Sequence, residues 1–159
     1  MENVIDTLWN EYQSTHFLFT QRLSHDFPFA IVTAHNPRGS RLSPSQNRLL
    51  DRQLQFKIQQ YNRPYRALIG AAPDLSHMEK SWAIFIDKEQ AVELGREFNQ
   101  HAIYYVNQGL LSLIACLDSI KPEVDMGIFN HRLRMVSELP EIGSYNWVNN
   151  DVIKTAQLR

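Results

Sequence analysis

The stretch FAIVTAHNPRG, residues 29–39, decides the fold. Phe29, Ala30, Ile31 and Val32 form a short apolar run rich in β-formers, and Asn36-Pro37-Arg38-Gly39 stops it with turn-forming residues. The reading is a buried strand from Phe29 to His35 that runs into a sharp polar turn. Polar groups delivered at the end of a central strand are where α/β domains usually carry their chemistry.

Upstream, Val4, Ile5, Leu8, Trp9, Tyr12, His16, Phe19 and Leu23 fall at spacings of three and four, which predicts one amphipathic helix from Val4 to about Leu23. Downstream, Ser43 with Pro44 and Gln46 makes a capping box that opens a second helix. Leu50, Leu54 and Ile58 form its stripe. Strands follow at Tyr65–Ala71 and Ser81–Ile86. Asp87 and Gln90 open a third helix, with Ala91 and Gly95 on a narrow inward face. A strand at Ala102–Val106 then turns at Asn107-Gln108-Gly109 into another at Leu110–Leu117. The core order β-α-β-β-α-β predicts an α+β, ferredoxin-like sandwich with an N-terminal helix and an extra C-terminal strand. A three-layer arrangement is the second choice, if the N-terminal helix covers the other sheet face. The expected plan is a single domain: helix over 1–27, core over 28–117, wrapping tail over 118–159. Within that tail, Phe129–Leu139 reads as either a helix or an edge strand.

The chain has 159 residues, 43% apolar and 21% charged, with a formal net charge of −1. That is an ordinary globular composition, and it announces neither a nucleic-acid nor a membrane partner. The single cysteine, Cys116, cannot pair internally, which fits a reducing cytoplasm. The N-terminal residues lack the basic start and apolar core of a signal peptide. The longest apolar run, Leu110 to Leu117, is too short to cross a bilayer.

Several short motifs together resemble a known family. They are the turn TAHNP with Ser43 and Asn47 after it, the segment Gly70–Pro73, the run Glu79-Lys80-Ser81-Trp82, and LGREFNQHAI at 94–103. Over roughly Phe29 to Leu113 the chain is similar to the bacterial domain-of-unknown-function family 3293. Members typically carry an aromatic residue where this chain has His35, and a glycine where it has Asn99. The resemblance implies a compact bacterial domain and no particular activity.

Three groups of residues are candidates for function. The first is the turn after the strand. Asn36, Arg38, Ser40 and Arg41 precede a helix opened by Ser43, and donors beside a helix N-terminus suit a phosphate or carboxylate. The plainer alternative is an Asx-turn at Asn36 with the bend fixed by Pro37. The second is a basic strip. Arg48, Arg52, Arg63 and Arg66 suggest a nucleic-acid backbone, with Tyr61 and Tyr65 either stacking bases or edging the core. The plainer alternative is a basic helix lying beside an acidic one. The aromatic-rich motif of RNA-recognition sheets is absent. The third is the polar set Asn47, Glu79, Ser81 and Gln100, which converges at one sheet end or simply ties helices to strands.

No metal set, cofactor motif or nucleophile signature stands out, and His77 with Glu79 is the only tight histidine–carboxylate pair. Asp74 with Glu79-Lys80 echoes a nuclease site, but Lys80 falls on the wrong strand face. The leading expectation is a small anionic ligand at the strand-one turn. The alternatives are a nucleic-acid-binding accessory protein, and a nucleotide-directed enzyme with Glu79 as acid or base. The sequence does not decide whether the chain is an enzyme, nor its oligomeric state.

Overall fold

The computed structural model describes residues 4–117 and 121–142. The chain is an α+β protein with one mixed eight-stranded sheet. Its elements run α1 (Val4–Tyr12), β1 (His16–Phe19), β2 (Phe29–Thr33), α2 (Pro44–Gln59), β3 (Tyr65–Ala71), β4 (Met78–Ile84), α3 (Lys88–Glu97), β5 (Ala102–Asn107), β6 (Leu110–Ala115), β7 (Val124–Ile128) and β8 (Leu133–Met135). Residues 143–159, with Trp147, lie outside the described residues, so the expected wrapping tail is described only as far as Ile142.

Both capping boxes form. The Ser43 hydroxyl accepts from the Gln46 N–H at 3.2 Å, and the Asp87 carboxylate accepts from the Gln90 N–H at 2.8 Å. These starts are local, so sequence suffices to place them. Gln108 and Gly109 both take positive φ (52° and 77°), giving the tight two-residue hairpin between β5 and β6.

The long first helix is a correction. The helix ends at Tyr12, and His16–Phe19 is strand β1, paired antiparallel with β3 and parallel with β8. Phe17 and Phe19 point into one cluster and Leu18 into another, so both faces of the strand are buried. A segment buried on both faces shows no alternation, and its aromatics then mimic a helical period. In the tail, Val124–Ile128 is a strand that the sequence does not announce, and Leu133–Met135 takes the edge-strand alternative.

The sheet order is β7-β6-β5-β2-β4-β3-β1-β8. Its two edge strands, β7 and β8, are joined only by the short 3-10 turn Phe129–Arg132. Five residues of chain reach at most about 17 Å. Eight strands laid flat would hold the edges about 34 Å apart. The sheet therefore curls, as a half-barrel does. Beyond the strands expected from the sequence, β1, β7 and β8 extend the sheet, and α1 lies against its concave face.

The convex face packs under α2 and α3, through Val32, Leu54, Ile58, Trp82, Ile84 and Leu94. Gly95 lets α3 sit close, because a Cβ there would lie 2.6 Å from the Cys116 sulfur and 2.8 Å from Ile103. The concave face is filled by Trp9 of α1 with Phe17, Phe19, Phe29, Leu68 and Phe129. Phe17 is edge-on to Tyr104 at 5.1 Å. The basic and acidic helices touch through Lys57–Glu97 at 3.7 Å, an exposed pair of small energetic weight.

Candidate functional site

The C-terminal end of β2 lies beside the N-terminal ends of the antiparallel neighbours β4 and β5. This convergence brings polar residues to one end of the concave face, where α1 and the turn after it form a wall. A cleft of about 820 Å³ opens there, lined by Tyr12 and Thr15 from the wall, and by His35, Ser81, Gln100 and Tyr104 from the sheet end. Gly39, with φ +76°, abuts α1: a Cβ would stand 2.5 Å from Leu8. Arg132 donates to the Gln13 and Thr15 carbonyls at 2.8 and 3.1 Å, which fixes the loop behind α1.

Asn36 is the keystone of the turn. Its backbone adopts φ 50°, ψ 61°, a left-handed conformation that asparagine tolerates. Its Oδ1 accepts from the Leu42 N–H and the Asn47 amide, both at 3.0 Å. Its backbone N–H donates to Asn47 Oδ1 at 2.9 Å, and its Nδ2 donates to Glu79 at 2.8 Å. The expected Asx-turn is thus replaced by a clamp that closes residues 36–42 onto α2 and β4. The Arg38 N–H donates to the Asn99 carbonyl at 2.7 Å, and Asn99 itself has φ 55°. A left-handed backbone at this helix end is one that glycine or asparagine adopts most readily.

Glu79 also accepts from His77, with Nε2 and Oε2 3.1 Å apart. That hydrogen bond raises the His77 pKa above its ordinary value. His35 shifts the other way: burial lowers its pKa, and it is 6% exposed. Burial likewise raises the pKa values of the Tyr12 and Tyr104 phenols. The Tyr104 hydroxyl is held by the Tyr12 carbonyl and Thr15 Oγ1, both at 2.8 Å.

The opposite histidine shifts make opposite contributions to stability. His77 contributes stability that is full below about pH 6.5 and is lost as pH rises through its raised value. His35 stays neutral in the fold while the unfolded chain takes up a proton near pH 6.5, so its contribution is lost as pH falls through its lowered value. Replacing His35 with phenylalanine, which keeps an aromatic ring and cannot take up a proton, should shrink the drop in midpoint temperature between pH 8 and pH 5. Thermal melts at the two pH values check this, and an unchanged drop would show that His35 does not set acid sensitivity.

The sequence candidates separate into several places. Asn36, Arg41, Glu79, Ser81 and Gln100 line the cleft. Asn47 is buried behind it as a support for Asn36, and the Gln100 amide donates to the His35 and Phe98 carbonyls at 3.1 and 3.2 Å. Arg38 and Ser40 are exposed and outside the lining. Ser43 is spent on its capping box. The Gln46 and Asn47 N–H groups bond to Ser43, and Pro44 has no N–H, so the first turn of α2 has little left to offer an anion. Arg48 and Arg52 sit on the exposed side of α2, whereas Arg63 and Arg66 lie beyond its far end. Tyr65 packs edge-on to Trp82 at 5.6 Å, and with Tyr61 it edges the core.

Sequence reasoning missed Tyr12, Thr15 and Tyr104 as cleft residues, because the overlong helix hid the wall. It also missed the lock at Asp51. This buried carboxylate accepts from the Trp82 indole at 2.8 Å and pairs with Lys80 at 3.0 Å. Lys80 lies on the sheet face opposite Glu79, so the two do not form a nuclease-like pair. Among the described residues no cluster of three or more metal-binding side chains occurs, and no helix is long and apolar enough to cross a membrane.

Fold and cleft together define an α+β half-barrel with a recess of mixed polar and apolar lining at one end of its concave face. Residues 32–103, which run from the last two residues of β2 through the Asn36 clamp, α2, β3, β4 and α3 to the start of β5, match the family model described as Protein of unknown function (DUF3293). No curated protein and no solved structure matched the chain.

Proposed function

We propose that the chain binds a small polar ligand in the concave cleft, and that the ligand carries one carboxylate or phosphate together with hydroxyl or amino donors. The carrying observation is the composition of the lining. Arg41 and the raised-pKa His77 offer positive charge for the anionic group, while Glu79 and Glu11 offer acceptors for donors on the same molecule. A volume of about 820 Å³ suits a ligand of metabolite size. This reading keeps the anionic ligand expected from the sequence, and moves its seat from the α2 N-terminus into the recess.

The test is a thermal-shift panel of sugar phosphates, hydroxy acids and amino acids. A ligand at about a hundred times its dissociation constant adds roughly 2.7 kcal/mol, a shift of several degrees at this size. That shift should vanish in the Arg41→Ala/His77→Gln variant and persist in Arg38→Ala. A shift that persists in the first variant overturns the placement.

A second reading, acid–base catalysis on that ligand, is favoured by the 3.1 Å contact between His77 and Glu79. A carboxylate that orients an imidazole is a recurrent general-base arrangement. Glu79→Gln would then retain binding and lose turnover. The nucleic-acid reading has less support, because its arginines divide between two places, Arg48 and Arg52 on α2 and Arg63 and Arg66 beyond its far end. We also read β2-α2-β3 and β4-α3-β5 as split β-α-β units of a ferredoxin-like core. The support is that β4 lies between β2 and β3, and β2 between β4 and β5.

A further inference from the structure

A second recess, of about 550 Å³, lies at the other end of the sheet, beyond the start of β2 and the end of β4. Its lining differs in kind from the first. Leu23, Phe27, Pro28, Pro64 and Phe85 supply an apolar surface. Phe27 is 66% exposed, on the loop that arches from β1 to β2. Phe85 leans against Phe29 at 5.7 Å, so the trough floor is continuous with the concave core. A partly buried aromatic floor beneath an exposed phenylalanine is apolar surface that a folded domain usually covers.

The rim is cationic. Arg63 and Arg66 both line the recess and are exposed, and neither pairs with a carboxylate among the described residues. Arg66 projects from β3 on the same face as Leu68, and its Nη1 donates to the Tyr65 carbonyl at 2.7 Å. The acidic group at the rim, Asp87, is engaged in capping α3 through the Gln90 N–H at 2.8 Å. Guanidinium groups match carboxylates in planar, two-point geometry.

We infer that this recess binds an amphiphilic carboxylate, with its aryl or short acyl body in the Leu23–Phe27–Phe85 trough and its head group on Arg63 and Arg66. The occupant is committed by charge complementarity. An uncharged apolar molecule would leave the two guanidiniums unused, and a nucleic-acid strand would leave the trough unfilled. The inference is independent of the first cleft.

The experiment uses the full chain with 8-anilino-1-naphthalenesulfonate, an apolar-bodied anion, as fluorescent probe, and decanoate and decanol as competitors. Saturable enhancement should appear, decanoate should displace the probe at least tenfold better than decanol, and Arg63→Ala/Arg66→Ala should weaken probe binding about tenfold. Arg41→Ala, in the other cleft, should leave probe binding unchanged. Equal competition by decanol, or unaltered binding in the double variant, overturns the inference. Displacement by a short oligonucleotide that disappears at high salt, without displacement by decanoate, also overturns it, in favour of a nucleic-acid partner.

Discussion

Replacing Phe17 with alanine is expected to cost about 3–5 kcal/mol and to lower the thermal midpoint by about 10 °C. Phe17 is fully buried on β1, in contact with the Tyr104 and Phe129 rings at 5.1 and 5.5 Å. Truncation removes its own burial and opens a cavity between these rings, in a part of the sheet that has little freedom to collapse. The helical alternative makes the opposite statement. On that pattern Phe17 falls outside the apolar stripe, and its truncation would cost well under 1 kcal/mol, as surface changes do. Urea melts of Phe17→Ala therefore discriminate strand from helix directly.

The second large effect is at Asp51, where alanine should cost about 2–4 kcal/mol. The loss leaves the Trp82 indole N–H without its acceptor in a site only 5% exposed. Lys80 suffers less, because its side chain is 38% exposed and the ammonium can turn to water. Asparagine at position 51 keeps an acceptor for the indole and removes only the charge, so Asp51→Asn should recover at least half of the loss. If the two variants are equally unstable, the ion pair with Lys80 dominates and the assignment of the cost to the indole fails.

Both residues lie where the sequence was hard to read, whereas the helix starts were plain. Ser43–Gln46 and Asp87–Gln90 announce helix starts within four residues, and the chain obeys them because nothing distant competes. Strand β3 was legible in full, from Tyr65 to Ala71, since Asn62-Arg63-Pro64 and Pro73-Asp74 punctuate both ends. Strands β1, β7 and β8 were not. Strand β1 pairs with partners far along the chain, β7 joins the neighbouring β6 across a register shift between Leu110 and Ser112, and β8 is a three-residue edge whose pairing with β1 has no local signature. Asp51 was hidden because it occupies an inward position of α2, one turn before Leu54, where the expectation is an apolar side chain.

The candidate site was legible in its sheet half. Asn36, Glu79, Ser81 and Gln100 were named from strand ends, and antiparallel pairing places strand ends together. Its other half depends on α1 ending at Tyr12, so that Thr15 can turn towards Tyr104. His77 was visible as the partner of Glu79 but was weighed as a metal ligand. Spacing by two residues on an extended segment puts both side chains on one face, and a direct hydrogen bond is the simpler use of that geometry.

The most direct measurement is a titration of the isotopically labelled chain with inorganic phosphate, followed by amide NMR at pH 6 and pH 8. Phosphate stands in for the anionic group of the ligand. The cleft placement predicts saturable shifts at Arg41, His77, Ser81 and Gln100, tighter at pH 6, where His77 holds its proton more fully. Shifts confined to the first turn of α2, Ser43 to Asn47, would return the anion to the helix end and contradict the account, and so would the absence of any saturable shift.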